Sequence, residues 1–537
     1  AGKSLNGNWT NIGYNQTTGG YEGIGRVNVI AFHPNNSNVF WVGAPSGGLW
    51  RTDNGGATWT VLTDNNTTLG VSAIAVTSNY ATSNTLYIGT GDRDGGSVWS
   101  LGGGNTNDNE GTGVLKSTNG GLTWTNSLTF TPSQNYVVYD LLIDPGNNNI
   151  LYAATDGGFY KTINAGGSWT KIVVDVHNDL EFHPGNSSII YAAFKGTGYI
   201  TKFTGGGSTW SNTLVSSSAI RTEIAVSANN SSIVYALTVN SNGGLDAIYK
   251  STNSGGSYTK ILDGSTTSNN LLGYNCTPIY TSGQGWYDVF ITANPANASD
   301  VYAGGINIWR STDGGTSWSI KSHWNGTCGN TVTEVHCDQH CCEFQPGTSA
   351  VFIGNDGGIY KSTNSGSSWT DLSNNLTINQ IYRIGQAPQT NNEILIGLQD
   401  NGTHLYSGAT WIMNGILGGD GMECLVDPGN TNIQFGEYQY GQIMRTSDHW
   451  SSAPTDVRNN IRNSPSGNST LKGDWVTPYM LDPNNDSILY VGYDELWKST
   501  DQGTTSTNFS KITVSSYSGT AKMRALEIAN SNSSYIY

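Results

Sequence analysis

One line of sequence recurs along the whole chain. It is an apolar strand, a turn with Pro and Asn, a second apolar strand, Gly, a third strand ending Lys/Arg-Ser/Thr, a Gly-rich turn, then Trp. A first copy reads VNVIAFHPNNSNVFWVGAPSGGLWRTDNGGATW and ends at Trp59; a third reads YDLLIDPGNNNILYAATDGGFYKTINAGGSW and ends at Trp169. Others end RSTDGGTSW at Trp318 and KSTNSGSSW at Trp369. Further clear turns lie at 117–124, 251–258 and 499–506, with degenerate copies near Trp210, Trp411 and Trp450. The period is roughly 40 to 65 residues, the range of propeller blades. Each copy then supplies one unit that buries its apolar faces only against its neighbours. The expectation is an all-β chain of about ten four-stranded blades, with an eleventh repeat starting at residue 523.

Composition agrees. The 537 residues include 70 Gly, 28 Tyr and 17 Trp, and only 12% are charged. That suits short strands and tight turns rather than helical layers, and so many aromatics argue against disorder. The net charge of −15 and the lack of a basic stripe exclude nucleic acid and anionic membrane surfaces as partners. No eighteen-residue apolar run exists to span a bilayer. Ala1 is not followed by a charged and then apolar leader, so the chain is cytosolic or begins after a removed signal; its low-Lys, Asn/Thr-rich character favours a secreted mature chain. In so Asn-rich a sequence, chance accounts for most N-x-S/T triplets, such as those at Asn8, Asn275, Asn325 and Asn375. Six cysteines, Cys276, Cys328, Cys337, Cys341, Cys342 and Cys424, cluster in the second half; disulfides are permitted but their connectivity is not readable.

The recurring turn resembles the Asp-box, Ser/Thr-x-Asp-x-Gly-x-Thr-Trp, of sialidases, sortilins and the two-propeller xyloglucanase-type glycoside hydrolases. Asn54, Asn119, Asn164, Asn253 and Asn364 stand where that motif has Asp, which Asp313 and Asp501 keep. The side chain is expected to bond backbone N–H groups across the turn, Gly to supply positive φ, and the Trp to be buried between blades. These are folding devices rather than catalytic acids. The segment 7–12, GNWTNI, looks like an outer strand without its own blade, expected to complete a last blade and close a ring. Eleven repeat starts fit two tandem seven-bladed propellers, the second incomplete, with the first spanning 1–378 and the second 379–537.

Inner-strand starts and the loops after second strands should form one functional face, with the recurring turns on the other. Aligned on the Pro-turn, Asp140, Asp179 and Glu223 fall at one place in consecutive repeats; Glu423 falls there in a later one, and Asp288 lies two residues off. Such carboxylates either attract a cation or cationic ligand at a channel mouth, or accept N–H bonds from adjacent loops. Trp286, Tyr287 and Arg383 add stacking and charge near the same face, suited to sugar or peptide unless they are ordinary inter-blade packing. Further candidates are Asp92, Arg93 and Asp94 in a Gly-rich insertion, and Asp156, Asp356 and Asp400 after second strands. In Glu334-Val-His-Cys-Asp-Gln-His-Cys-Cys-Glu343, the alternating His336, Asp338 and His340 are expected on one face of an inner strand, facing the channel. They form either a hydrogen-bonded cluster or a site for a divalent ion, calcium or zinc.

The stretches GAPSGGLWRT, GQGWYD, HCDQH, GNDGGIYKS, LQDNGT and GGDGMEC resemble those of Bacteroidetes-type secreted propellers, similar to xyloglucanase and sortilin propellers. That resemblance implies a secreted or cell-surface protein, often exported by type IX secretion, with a C-terminal sorting domain that would lie beyond Tyr537. Asp486-Ser487-Ile488 matches the short O-glycosylation motif of that phylum. Xyloglucanase-type hydrolysis needs two carboxylates across a cleft. Those enzymes resemble one another in an Asp before Gly-Gly in the first blade, where this chain has Ala44-Pro45-Ser46-Gly47-Gly48. A sialidase would need an arginine trio at inner-strand starts, and only Arg26, Arg221 and Arg383 approach one. The reading is therefore a binding or adhesion module for extracellular polysaccharide or a surface protein, with glycoside hydrolase as the alternative.

Overall fold

The computed structural model describes residues 11–537 except 67, 96–109, 267, 278–279, 326–327, 329–331, 388–391, 413–414, 467–469 and 513–520. The described residues form ten sheets taken in chain order, all of four strands but the sixth, which gains a short fifth strand paired in parallel. Within each blade the strands are antiparallel neighbours in sequence, as in the first: Val29–Phe32, Phe40–Ala44, Gly48–Thr52 and Thr60–Val61. The chain is a β-propeller protein. Among the described residues helix is confined to short pieces such as Tyr80–Ser83 and the six-residue Val457–Arg462. Among the described residues no helix is long and apolar enough to cross a membrane.

The inner strands of the first seven blades contact one another in succession, and that of the seventh, Gln339–Phe344, lies against that of the first. Blades eight to ten follow, with inner strands Ile381–Gln386, Leu425–Val426 and Tyr479–Asp482. Residues beyond them form a bridge between Ile528 and Ile536.

The Lys/Arg near the end of the third strand has a physical reason. In nine of the ten described blades it lies directly across from an aromatic on the second strand, as in Tyr87–Lys116, Tyr152–Lys161, Tyr235–Lys250 and Phe352–Lys361. The cation sits 5.1–5.5 Å from those ring centres. Lys116 Nζ also donates to Ala165 O, and Lys161 Nζ to Gly206 O, in the turn of the next blade. The aromatics are buried, so one cross-strand pair closes a blade face and ties it to its neighbour.

The recurring turn behaves as its residues dictate. Asn54 Oδ1 accepts from Thr58 N at 2.9 Å while Thr52 Oγ1 accepts from Gly56 N at 2.9 Å, and the pattern repeats at Asn119, Asn164, Asn253, Asp313 and Asn364. Two successive residues take positive φ. The second is always Gly in these turns, but the first tolerates Ala165 (55°), Ser254 (55°) and Ser365 (60°). One expectation is corrected: the Trp residues are half-buried at the rim rather than buried between blades. The indole N–H groups of Trp59, Trp124, Trp169 and Trp369 reach the preceding blade instead, Trp59 to Leu372 O at 2.9 Å and Trp124 to Leu62 O at 3.0 Å, while Trp318 donates within its own turn.

Of the segment 7–12, residues 7–10 lie outside the described residues. Ile12 O accepts from Trp411 Nε1 at 2.6 Å, and the Tyr14 ring lies against His404, tilted by 30° with ring centres 3.9 Å apart. Trp411 ends blade eight as Trp59 ends blade one, so Ile12 occupies the place that Leu372 fills for Trp59. Blade seven has its own outer strand, Thr370–Asp371.

Candidate functional site

The channel of the first seven blades holds a cavity of about 420 Å³, lined by Asp140, Asp179, Glu181, Glu223, Arg93, His340 and Glu343 among others. Asp140 Oδ2 accepts from Leu180 N of the next blade at 3.0 Å, and Asp179 Oδ2 accepts from Ile224 N of the blade after at 2.7 Å. Glu223 accepts from Asn178 Nδ2 at 3.0 Å and Arg221 Nε at 2.7 Å. Of the two readings open for these carboxylates, the geometry of Asp140 and Asp179 matches N–H acceptance: each clamps one inner strand to the next. Burial raises Asp140 to about 6, and burial with Glu223 and Asp140 nearby raises Asp179 well above the ordinary carboxylate value.

A buried ionic plug closes one end of the channel. The insertion after Leu86–Thr90 drops Asp92, Arg93 and Asp94 into it. Asp92 pairs with Arg26 and accepts from Asn28 Nδ2 at 3.1 Å. Asp94 meets Arg221 Nη2 at 3.0 Å and His340 Nδ1 at 3.0 Å. His340 Nε2 lies 2.8 Å from Asp356 Oδ1, and Tyr287 OH donates to Asp356 Oδ2 at 2.7 Å. Arg93 Nη2 donates to His340 O at 2.9 Å. Burial pulls the His340 imidazole down, but Asp356 and Asp94 outweigh it and raise its pKa. Burial opposes the charge on Asp356 as well, yet His340 and Arg26 hold its pKa below the ordinary carboxylate value. Arg26, Arg93 and Arg221 therefore gather here, whereas Arg383 lies apart, donating to Glu423 Oε2 at 3.1 Å in the later blades.

Outside the plug, a pocket of about 250 Å³ opens where the first seven blades meet the later ones. Tyr274, Gln284, Trp324, Cys337 and Asp338 come from the seven blades, Tyr21 from the N-terminal segment, and Asp400, Asp420 and Gln439 from blades eight and nine. Tyr274 is 45% exposed. Trp324 Nε1 donates to Tyr274 O at 3.0 Å, which fixes the indole, and the Tyr21 and Trp324 rings lie 6.2 Å apart. Gln284 Nε2 donates to Asp338 Oδ1 at 3.0 Å, and Asp400 N to Asp420 Oδ1 at 2.9 Å. Carboxylate oxygens of Asp338, Asp356 and Asp400 lie within 4.8 Å of one another. Asp400 hydrogen-bonds Asp356 through its carboxyl, and its pKa is raised by burial and by Asp420 and Asp356. Burial and Asp356 lift Asp338 to about 7; burial lifts Asp420 to about 6. The trio can share a proton, or an oxygen-preferring divalent cation.

His336, Asp338 and His340 do not share a strand face. The strand starts only at Gln339, a bulge between Gln339 and Cys341 shifts the register, and Asp338 has φ 62°. His336 Nδ1 and Nε2 lie 3.2 Å from Cys337 O and Asp400 O, and both nitrogens of His340 face carboxylates. The structure thus groups Asp338 with Asp356 and Asp400 rather than with the two histidines. Asp288 is fully buried with no hydrogen-bond partner for either oxygen among the described residues; burial, then Asp338 and Asp356, raises its pKa. Trp286 lines a smaller cavity of about 170 Å³ with Arg93, Arg221 and Lys195. Cys276 and Cys328 form a disulfide, while Cys337, Cys341, Cys342 and Cys424 are free thiols. Tyr21, Tyr274, Trp324 and Asp420 went unpredicted as site residues; the one signal for Asp420 is its Gly-rich GGDG setting.

No family model and no curated protein matches the chain. Among solved structures it is similar to an ancestral GH74 enzyme, with 15% identity and a TM-score of 0.64 over 98% of this chain and 75% of that one. It is also similar to the GH74 xyloglucanase from Xanthomonas campestris, with 15% identity and a TM-score of 0.54 over 93% of this chain and 81% of that one. At that identity the likeness shows the fold.

Proposed function

We propose that this chain is an extracellular carbohydrate-binding propeller whose ligand lies in the pocket between the two sets of blades. The observation that carries the reading is the lining of that pocket: Tyr21, Tyr274 and Trp324 beside Asp338, Asp400, Asp420, Gln284 and Gln439. Aromatic rings take the C–H face of a sugar, and carboxylate and amide groups accept from and donate to its hydroxyls. The ionic plug behind it, with its charges paired and its carboxylates buried, serves to hold Asp338, Asp356 and Asp400 in place.

One observation favours glycoside hydrolysis as a second reading. Two carboxyls lifted to about 7 and 6, Asp338 and Asp420, line the same pocket, and a raised carboxyl is the form a general acid takes. Probing the purified chain on a glycan array, with and without chelator, tests binding; chromatography of the bound oligosaccharide after long incubation tests turnover. Retention of intact sugar supports the binding module. Products that vanish in Asp338→Asn or Asp420→Asn establish the hydrolase, and an array with no hits removes both readings.

A further inference from the structure

We propose that the groove next to this pocket, on blades nine and ten, holds a carboxylate-bearing sugar, a uronate residue of the same glycan. The inference rests on the carbohydrate reading above and names the ligand class. The groove has a volume of about 740 Å³ and is lined by Tyr438, Gln439, Tyr440, Arg458, Lys472, Trp475 and Lys522. It is continuous with the pocket through Gln439, which lines both and whose amide donates to Asp420 on the pocket side. The next residue, Tyr440, turns away at φ 62°, and its ring meets Trp475 edge-on at 5.2 Å. One short turn thus presents a hydrogen-bonding side chain to the acidic pocket and an aromatic wall to the groove.

The charge in the groove is opposite to that of the pocket and of the chain, whose net charge is −15. Among the described residues neither Lys472 nor Arg458 has a carboxylate within ion-pair distance; Arg458 Nη2 donates to Leu471 O and its Nε has no partner. Lys522 lies 5.3 Å from the Tyr440 ring centre. Its nearest carboxylate, Asp474, is 4.0 Å away and is held more closely by Arg524, at 2.7 Å. Lys472, which has no carboxylate partner among the described residues, and the loosely paired Lys522 line the groove with Tyr440 and Trp475, and together they suit a sugar that offers both an apolar face and a carboxylate. The acidic pocket next door favours a neutral sugar, so the ligand this surface fits carries its uronate off the pocket rather than in it. A nucleic acid, with a charge at every unit, would meet the pocket carboxylates and be repelled.

The test uses the full chain and paired probes: uronate-containing oligosaccharides and their carboxyl-reduced forms, which differ only in charge. The expected result is that a uronate glycan binds roughly tenfold more tightly than its reduced form, an advantage lost at high salt. The double variant Lys472→Ala/Lys522→Ala, altering one exposed and one half-buried side chain, should remove that advantage and leave the reduced form's affinity unchanged. Equal affinity for both forms, absence of any uronate binder, or a silent double variant overturns the inference. Trp324→Ala separates the two claims. If it abolishes binding of neutral glycan while the lysine variant does nothing, the pocket reading stands and the uronate site falls; if only the lysine variant matters, the pocket reading falls instead.

Discussion

Nε2 of His340 lies 2.8 Å from Oδ1 of Asp356, both fully buried, with Asp94 on the ring's other nitrogen. The pair joins the channel plug to the carboxylates of the pocket, so it sets the local charge balance. Removing the imidazole leaves two buried carboxylates facing each other, which in buried pairs costs about 3–5 kcal/mol. His340→Ala should therefore lower the urea midpoint markedly. The pH dependence follows from the direction of the shift. The His340 pKa is higher in the folded protein than its unfolded value of 6.5, so its stabilisation is fully present below pH 6.5 and is lost as pH rises through the folded value. The gap between wild type and His340→Ala should be widest at pH 5–6 and close on the alkaline side. Asp356 shifts the other way: its contribution is present above the ordinary carboxylate value and is lost as pH falls through its lower folded value. A gap that does not change with pH would show that His340 is not an imidazolium.

Asp140 and Asp179 link successive inner strands. Asp140→Leu leaves the N–H of Leu180 and that of Leu141 without an acceptor, a loss of about 1–3 kcal/mol for a buried group. Hydrogen exchange at Leu180 should accelerate while glycan affinity stays the same. A change in affinity without faster exchange would assign Asp140 to ligand contact instead.

Asp313 and Asn364 do one job in two chemistries. Each accepts the N–H four residues on, Asp313 from Ser317 and Asn364 from Ser368, both at 2.9 Å. Asp313→Asn should be nearly neutral in thermal melts, and Asp313→Ala should cost about 0.5–1.5 kcal/mol per bond lost. Neither should touch activity or binding, because these turns lie on the rim opposite the pocket. Equal losses for Asn and Ala would mean that charge, not acceptance, is what the turn needs.

Much of this was legible in the sequence, and for a local reason. Repeats such as those ending at Trp59, Trp169 and Trp369 encode strand length, turn and neighbour contact within one copy, so the fold follows from reading one blade many times. Some residues of the candidate face were legible in the same way: Asp92, Asp356 and Asp400 all follow second strands. What could not be read was which of them meet. That depends on the bulge beside His340 and the left-handed Asp338, which break the alternation expected of a strand, and on the junction of two sets of blades far apart in sequence. Tyr21, Tyr274 and Trp324 sit in connections outside the repeat, where no periodicity marks them. The Trp rim is half-buried because the indole N–H, which needs an acceptor, draws the ring toward a backbone carbonyl, as at Trp59 and Trp124, rather than into the apolar layer.

The central claim is that sugar binds against Trp324 in the pocket where the two sets of blades meet. The most direct measurement is calorimetric titration of the wild type, Trp324→Ala and Asp338→Asn with the best oligosaccharide from the array, each variant first shown by circular dichroism to be folded. Stacking on one aromatic is worth about 0.5–1.5 kcal/mol beyond area burial. Trp324→Ala should weaken binding by roughly tenfold or more once that area is also lost, and Asp338→Asn by a smaller factor. Wild-type affinity in both folded variants would contradict the account.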